Sequence, residues 1–264
     1  SRTDGSVKAA GSPANAVKVS FRDANLRYAG AGADSLSDIT FDVAPGETVG
    51  IIGGTGSGKS SLVNMIPRFY DASQGSVCID GVDVKDYTLD ELRHKVGVVP
   101  QKAVLFAGTI ADNIRWGKQD ATEAEIDEAL EIAQAKEFVD GKENGIYFKI
   151  TQGGKNLSGG QKQRLTIARA VVRKPEILIL DDSASALDFA TDAALRKAIR
   201  EKTKGMTVFL VSQRASTIMN SDKIIVMDDG QIAGIGTHRQ LLSNCEIYRE
   251  ICQSQLSEEE LSHE

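Results

Sequence analysis

Short apolar runs separated by turn residues dominate the first hundred residues of the chain. Alternating apolar and polar positions in VKVSFRDANLRY and LSDITFDV predict two strands, and APGE marks a turn before a third strand, ETVGII. The runs GSVCIDG and KVGVVPQ predict two further strands. The N-terminal part of the chain is therefore predicted to be rich in β-structure.

Three later runs, EILILD, TVFLV and KIIVM, are almost entirely apolar. Strands of this composition are buried on both faces, which is typical of a parallel sheet covered by helices. Helical patterns alternate with the strands, as in GGQKQRLTIARAVVR. This alternation predicts a three-layer α/β core.

The region between residues 102 and 163 has a different character. ATEAEIDEALEIAQA is amphipathic, and Thr122 is followed three residues later by Glu125, which is a signature of a helix N-terminus. This middle region is predicted to be a helical insertion.

Composition and charge limit the functions that the chain can have. The 264 residues carry a net charge of -6, which disfavours nucleic acid or an anionic membrane surface as the main partner. No apolar run approaches the roughly 18 residues that a membrane span requires. Residues 1–16 are small and polar and predict a flexible linker or a cloning remnant, and the acidic residues 251–264 predict a frayed C-terminal tail. Three scattered cysteines show no zinc spacing.

A glycine-rich loop follows the predicted strand ETVGII. The segment GGTGSGKS matches the phosphate-binding pattern G-x-x-x-x-G-K-[ST] and opens a helix, which is the context that the pattern requires. Glycines let backbone amides turn toward a triphosphate, the lysine reaches the β- and γ-phosphates, and the serine hydroxyl binds Mg²⁺. The predicted nucleotide-binding residues here are Gly53, Gly54, Thr55, Gly56, Ser57, Gly58, Lys59, Ser60 and Ser61.

Asp181 ends the apolar run EILILD. An acid at the carboxyl end of a central strand lies where open α/β sheets bind ligands. Together with the phosphate loop, this position predicts that Asp181 holds the Mg²⁺ shell, directly or through water.

A second anion-binding signature lies in NLSGGQKQR, in which Ser158, Gly159, Gly160 and Gln161 follow Leu157 at a predicted helix start. The sequence LSGGQ resembles the signature motif of ATP-binding cassette (ABC) ATPases. The resemblance covers nearly all of the chain after residue 17. The stretches LFAGTIADNI and RFYDASQGSVCIDGVDV resemble the exporter subgroup, in which membrane and ATPase domains share one chain.

The resemblance implies a fold, ligands and partners. The expected fold is α/β: a three-layer P-loop NTPase core with a RecA-like parallel sheet, an N-terminal antiparallel β subdomain and an inserted α-helical subdomain, with the ATPase domain at residues 17–250. The expected ligands are ATP and Mg²⁺. The signature of each subunit closes on ATP held by the other, so the expected partner is a second ABC ATPase domain in a head-to-tail dimer, with SALD (Ser185–Asp188) crossing the interface.

The family also implies individual roles. Tyr28 matches the aromatic residue that stacks on adenine, although it could equally be a strand-edge residue. Gln101 matches the glutamine that touches Mg²⁺ and senses the transport domain. The transmembrane domains of an exporter are thus expected partners, which places the domain at the cytoplasmic face of the cell membrane. Excision from a longer chain and docking on separate membrane subunits are both compatible with the sequence.

Two positions depart from the family pattern. Asp182 stands where the family carries its general base, a glutamate, and Gln213 in SQR replaces a histidine. Aspartate is one methylene shorter than glutamate, and a misplacement of about 1 Å can cost on the order of 10²-fold in rate. Glutamine still donates a hydrogen bond to a γ-phosphate but carries neither a proton nor a positive charge. Both losses affect hydrolysis, whereas the binding residues are intact.

These departures leave three hypotheses. The first is the weakly hydrolytic subunit of a heterodimeric exporter, whose signature completes the partner's active site. The second is an active ATPase homodimer that uses Asp182 as base. The third, a soluble ABC protein acting on nucleic acid, is disfavoured because the chain has neither tandem cassettes nor long coiled-coil insertions.

Overall fold

The computed structural model describes residues 16–183, 185–203 and 205–262, so the predicted N-terminal linker lies outside the described residues except for residue 16. The strands are β1 Val19–Leu26, β2 Leu36–Val43, β3 Thr48–Gly53, β4 Gln74–Ile79, β5 Val82–Asp83, β6 Val96–Val99, β7 Gly108–Thr109, β8 Lys149–Ile150, β9 Ile177–Asp181, β10 Thr207–Val211, β11 Lys223–Asp228 and β12 Gln231–Gly236. The helices are α1 Lys59–Asn64, α2 Leu89–Lys95, α3 Ile110–Arg115, α4 Glu123–Ile132, α5 Lys136–Asp140, α6 Gly159–Val171, α7 Phe189–Lys202, α8 Ala215–Ile218, α9 His238–Asn244, α10 Glu246–Gln255 and α11 Glu258–Ser262.

A six-stranded sheet with the order β12-β11-β3-β10-β9-β6 forms the centre of the molecule. Its strands are parallel except for β12, which pairs antiparallel with β11. The run TVFLV is buried along its whole length. A sheet that is covered by other elements on both faces needs such continuous apolar strands, because the side chains on both faces are buried.

The two faces of this sheet meet different parts of the core. Ile51, Ile179 and Phe209 pack with the N-terminal strands and α1. Their neighbours Ile52 and Leu178 pack on the opposite side with the helical part of the chain. Alternate side chains of a strand point to opposite faces, so the same short runs supply both layers.

An antiparallel sheet with the order β2-β1-β4-β5 lies over one side of the core. Phe21 and Phe41 stack across its first pair of strands, with ring centroids 4.6 Å apart. This sheet covers the face of the central sheet that carries α1.

The predicted middle helix is present as α4. The Thr122 side chain accepts a hydrogen bond from the Glu125 amide and caps the helix. Ile126, Ala129 and Leu130 are buried on the face that packs against α6 and its neighbours. The observed cap agrees with the prediction made from residue types alone.

The C-terminal region differs from the expected frayed tail. Residue 251 lies inside α10, and α11 follows it. The reason is burial: Tyr248 and Cys252 are fully buried in the core and Leu256 is nearly so. These side chains anchor the end of the chain to the helical side of the central sheet.

The architecture confirms the predicted fold class, an α/β core with a parallel sheet and an antiparallel N-terminal sheet. None of the helices in the described residues is both long and apolar enough to cross a membrane. The carboxyl ends of β3, β6, β9 and β10 meet at one edge of the sheet, where the loops that follow them come together.

Candidate functional site

The loop between β3 and α1 has a backbone that requires glycine. Gly56 and Gly58 have φ values of 76° and 103°. These values lie in the left-handed region, which residues with a Cβ atom rarely adopt. A Cβ atom at Gly58 would also lie 2.6 Å from Cδ2 of Leu36. The tight turn brings backbone and the start of α1 close to any ligand beyond the sheet edge.

Lys59 occupies the interior of this loop. Its Nζ donates to the carbonyl oxygens of Gly53 at 2.8 Å and Gly54 at 2.9 Å, and only 8% of the residue is exposed. Burial lowers the pKa of the Lys59 ammonium, and the negative charges of Asp182 and Asp181 oppose that effect. The loop thus holds a cation next to two acids.

Asp181 lies at the carboxyl end of β9 and meets the start of α1. The Ser60 hydroxyl donates to Oδ1 of Asp181 over 3.0 Å. Burial raises the pKa of the Asp181 carboxyl, whereas the Ser60 hydrogen bond and the charge of Lys59 lower it. A hydroxyl and a carboxylate side by side form a pair of oxygen donors.

Asp182 directly follows β9 and has a left-handed φ of 51°. Its amide donates to the carbonyl of Val211 at 2.8 Å, and its Oδ2 accepts from Nε2 of Gln101 at 3.2 Å. Burial raises the pKa of the Asp182 carboxyl, and the positive charge of Arg214 is the main opposing influence. The two neighbouring carboxylates therefore have different partners.

Gln213 follows β10 and faces the phosphate loop. Its Nε2 donates to Oγ1 of Thr55 over 3.4 Å. The next residue, Arg214, donates from its amide to the Ser212 hydroxyl at 3.0 Å. The structure thus places Asp182 and Gln213 on one cleft with the loop that precedes α1.

Tyr28 lies just beyond β1, half-buried beside α1. Its hydroxyl forms a hydrogen bond with the Ser61 hydroxyl. Its ring meets the Tyr70 ring edge to face, with centroids 4.9 Å apart. An aromatic ring therefore stands next to the phosphate loop, as stacking on a nucleobase would require.

These groups line one cleft of about 440 Å³, called the loop cleft below. The predicted residues on its wall are Tyr28, Thr55, Gly56, Ser57, Gly58, Lys59, Ser60, Ser61, Gln101, Asp181, Asp182 and Gln213. Sequence reasoning missed Asp34, Ser35, Asp229 and Gly230. These four residues lie in the loops that precede β2 and β12. Nothing in the local sequence indicates that these loops approach α1.

A second cleft of about 450 Å³ lies elsewhere, lined by residues such as Pro45, Pro175 and Met206. These residues precede β3, β9 and β10, so this cleft faces the amino ends of the parallel strands. Ligands of open α/β sheets bind at the carboxyl ends. The loop cleft, which also holds the charged groups, is therefore the candidate site.

The signature residues lie apart from the loop cleft. Ser158 caps α6: its hydroxyl accepts from the Gln161 amide, and the Gln161 side chain accepts from the Ser158 amide, both at 3.1 Å. Ser158 and Gly159 are exposed. None of the residues 158–161 is on the wall of the loop cleft of the same chain. This helix start is therefore separate from the loop cleft of its own chain.

Gln163 connects the two regions and was missed by sequence reasoning. It is buried, donates from Nε2 to the carbonyl of Gln101 at 3.3 Å and accepts at Oε1 from the Ala186 amide at 3.0 Å. A signal was available, because Gln163 lies on the same helix face as the buried residues Thr166, Ile167 and Ala170. A polar residue on an apolar face usually has buried partners.

The donor set of the loop cleft fits ATP with Mg²⁺. Ser60 and Asp181 offer the hard oxygen ligands that Mg²⁺ prefers, and Lys59 offers the charge that phosphates need. Among the described residues no three His, Cys, Asp or Glu side chains converge on a metal position.

Comparison with known proteins gives a consistent picture. The model of the family described as "ABC transporter" matches residues 36–185. An uncharacterized ABC transporter ATP-binding protein of Mycobacterium tuberculosis is 46% identical over 235 residues, which is 88% of this chain and 40% of that protein. An ATP-dependent lipid A-core flippase of Hahella chejuensis is 41% identical over 242 residues, which is 91% of this chain and 41% of that protein.

Among solved structures, a bacterial Atm1-family ABC exporter with ATP bound matches with a TM-score of 0.87 and 37% identity. The match covers 92% of this chain and 43% of the exporter chain. The chain thus spans about two fifths of the length of each of these three relatives.

Proposed function

The chain belongs to the ABC transporter family of ATPases. We propose that it is the nucleotide-binding domain of an exporter and that it binds ATP–Mg²⁺ at a dimer interface. We also propose that its own site hydrolyses ATP slowly. Relatives with exporter-type names support the first part. In this proposal residues 17–250 form the ATPase domain, and residues of about 102–163 form its helical insertion.

One observation carries the proposal. The loop cleft holds Lys59, Ser60 and Asp181, which bind nucleotide and metal in this family, together with Asp182 and Gln213 in place of the glutamate and histidine. The departures therefore lie in the same cavity as an intact binding apparatus. Binding and hydrolysis are expected to be affected unequally.

The binding roles follow from position. Lys59 would exchange its two loop carbonyls for phosphate oxygens, and the Tyr28 ring would stack on the base. Ser60, Asp181 and Gln101 would hold Mg²⁺. An ion held by these residues would supply positive charge that neutralises the phosphates. The chain's own contribution is to position the triphosphate and surround it with donors.

The catalytic groups are weaker than those of the family pattern. Asp182 is one methylene shorter than glutamate, and its carboxylate is already tied to Gln101. Gln213 can hold a γ-phosphate oxygen with a neutral amide, which stabilises negative charge less than a protonated imidazole would. General-base catalysis is typically worth about 10²–10⁴-fold in rate. The expected result is a site that binds ATP well and hydrolyses it slowly.

The signature supports a partner subunit. Ser158, Gly159, Gly160 and Gln161 form a helix start outside their own loop cleft, and Ser158 and Gly159 are exposed. In the proposed head-to-tail dimer they would bind the γ-phosphate of ATP held by a second ABC ATPase domain. That partner would carry the glutamate and histidine, so the dimer would be a heterodimer with one fast and one slow site.

The membrane part of the exporter would dock on an aromatic surface. Phe106 and Trp116 stack with centroids 4.8 Å apart, and they are 42% and 69% exposed. They border a groove of about 270 Å³ that also contains Val98 and Gly117. Exposed aromatic pairs of this kind mark interaction sites. A helix of the transmembrane domains at the cytoplasmic face of the membrane is the proposed occupant.

The test compares ATP hydrolysis by the wild-type chain with that by a variant carrying Asp182→Glu and Gln213→His. The double variant should hydrolyse ATP about 10–100-fold faster, because it restores a longer base and a charged phosphate ligand. The ATP dissociation constant should change by less than about two-fold, because the binding residues are unchanged. Asp34→Glu, which lengthens another acid of the loop cleft, serves as the control.

The opposite result has a clear meaning. If wild-type hydrolysis equals that of the double variant and depends cooperatively on protein concentration, Asp182 is a competent base. The chain would then be an active homodimeric ATPase rather than the slow half of a heterodimer.

A further inference from the structure

The side chain of Gln255, at the end of α10, binds the loop that follows β10 at two points. Its Nε2 donates to the Gln213 carbonyl at 2.9 Å, and its Oε1 accepts from the Ala215 amide at 2.8 Å. One amide group therefore holds the backbone on both sides of Arg214. The partners are 42 and 40 residues away in the sequence.

The position of this amide is fixed by the core. Tyr248 and Cys252 are fully buried on α10, and Leu256 follows the helix into the same apolar cluster. Tyr248 also shares a hydrogen bond with His238 at the start of α9. Gln255 is thus presented from an anchored helix, and its side chain reaches the loop from a rigid support.

The loop carries the group that faces the nucleotide. Gln213 reaches across the loop cleft to Thr55 of the phosphate loop. Ala215 begins α8. Gln255 binds the backbone carbonyl of Gln213 itself. A shift of Gln255 would therefore move this backbone and change where the side-chain amide of Gln213 points. Fixing a backbone on both sides of a functional side chain pre-organises that side chain.

We propose that Gln255 is a positioning residue, which orients the Gln213 side chain for contact with the γ-phosphate. Helix α10 thereby becomes part of the nucleotide site. The inference rests on the proposed function in one respect, namely that the loop cleft binds ATP. It does not depend on the hydrolysis rate, because positioning acts on binding of the γ-phosphate.

The test measures binding of ADP and of a non-hydrolysable ATP analogue to the 264-residue chain with Mg²⁺. Gln255→Ala should weaken the ATP analogue about five-fold, the effect of one hydrogen bond, and leave ADP affinity within two-fold. Gln213→Ala should have the same effect, and the Gln213→Ala/Gln255→Ala double variant should be no weaker than either single variant. Gln253→Ala, a change at an exposed position of the same helix, should alter neither affinity.

A second variant separates the two hydrogen bonds. Gln255→Glu keeps an acceptor for the Ala215 amide and loses the donor to the Gln213 carbonyl. It should therefore reduce selectivity for the ATP analogue over ADP as Gln255→Ala does. Amide hydrogen exchange should quicken at Ala215 in Gln255→Ala but not in Gln255→Glu.

Three results would overturn the inference while leaving the proposed function intact. They are equal weakening of ADP and the ATP analogue, additive losses in the double variant, and unchanged affinity for both ligands in Gln255→Ala. Absence of any nucleotide binding by the wild-type chain would instead contradict the proposed function.

Discussion

Nε2 of Gln101 lies 3.2 Å from Oδ2 of Asp182, so the acid that we propose as the general base is held by an amide just beyond β6. The same glutamine binds the buried Gln163 through its backbone carbonyl. Gln163 in turn accepts from the Ala186 amide, in the loop that follows Asp182. The acid is therefore part of a network that links the ends of β6 and β9 to α6, the helix of the signature.

Asp182→Asn should abolish most of the remaining hydrolysis. Asparagine keeps an oxygen for the Gln101 hydrogen bond and removes the base, so the rate should fall at least about ten-fold. The dissociation constant for ATP should stay within about two-fold, because Lys59 and Ser60 are unchanged. The measurement is phosphate release at saturating ATP, with binding measured in parallel.

Asp229→Asn is the matched control for that change. Asp229 lines the same cleft and has a similar left-handed φ, 46° against 51° for Asp182. The control should leave the rate nearly unchanged. Equal rates for wild type and Asp182→Asn would mean that Asp182 does not act as a base.

Asp181→Asn should stabilise the nucleotide-free chain at neutral pH. Burial raises the pKa of Asp181, so the folded state binds a proton more readily than the unfolded state. The stability that this group contributes is present at low pH and is lost as pH rises through the folded pKa. At pH 7 the ionised acid is therefore unfavourable, and the variant should melt at a higher temperature than the wild type.

The melting temperature should be measured from pH 4 to pH 8 without nucleotide and with a chelator. The gain should shrink toward pH 4, where the wild-type acid takes up a proton. A gain of the same size at every pH would show that packing and not ionisation is responsible. Added Mg²⁺–ATP should reverse the order of the two proteins, since Asp181 is a proposed ligand of the ion.

Gly230→Ala should destabilise the chain strongly. The φ of Gly230 is 75°, and an added Cβ would lie 2.3 Å from the carbonyl oxygen of Ser35. Gly230 also donates to the Ser57 carbonyl at 3.0 Å and accepts from the Ser37 amide at 2.9 Å, so it joins the phosphate loop to β2. Backbone strain and steric conflict together should reduce the free energy of unfolding by about 3 kcal/mol or more.

Gly30→Ala separates the two causes. Gly30 has a φ of 79°, close to that of Gly230, but no heavy atom beyond its two chain neighbours lies within 4 Å of its added Cβ. Its substitution should cost only about 1 kcal/mol, from backbone strain alone. Urea unfolding of both variants gives the comparison. Similar losses would mean that the contact between Gly230 and Ser35 is readily relaxed.

Much of the core and of the phosphate site could be predicted from local patterns. The runs that became β9, β10 and β11 were predicted within a residue or two, since continuous apolar runs between turns have few alternatives. The phosphate loop could be located because its glycines and Lys59 are contiguous. Their structural context, a strand followed by a helix, was also visible in the sequence.

Features that depend on distant contacts could not be predicted. Strand β12, QIAGIG, alternates exposed and half-buried residues and contains two glycines, so its pattern is weak. The segment from residue 251 was predicted to be a tail because SEEELSHE is polar. A local signal for α10 was nevertheless present, since Ile247, Tyr248, Ile251 and Cys252 recur at helical spacing. The contact of Gln255 with Gln213 spans 42 residues and has no local signal at all.

The single tryptophan, Trp116, provides an intrinsic probe of docking. It is 69% exposed in this chain and stacks on Phe106 at the edge of the proposed docking groove. In the isolated chain its fluorescence should be red-shifted and readily quenched by acrylamide. In a full-length exporter a helix of the membrane part would cover the ring, so the Trp116 emission should shift to the blue and quenching should fall about three-fold or more.

Tryptophans elsewhere in a full-length protein are removed from the comparison by subtracting the spectrum of a Trp116→Phe variant. Phenylalanine keeps an aromatic ring on Phe106, so this variant should still dock and give a valid baseline. Phe106→Ala should leave Trp116 more accessible to quencher in the full-length protein, because the ring loses its support in the groove. If Trp116 is quenched equally in the chain and in the full-length protein, the membrane part does not dock at this surface, and the aromatic pair needs a different partner.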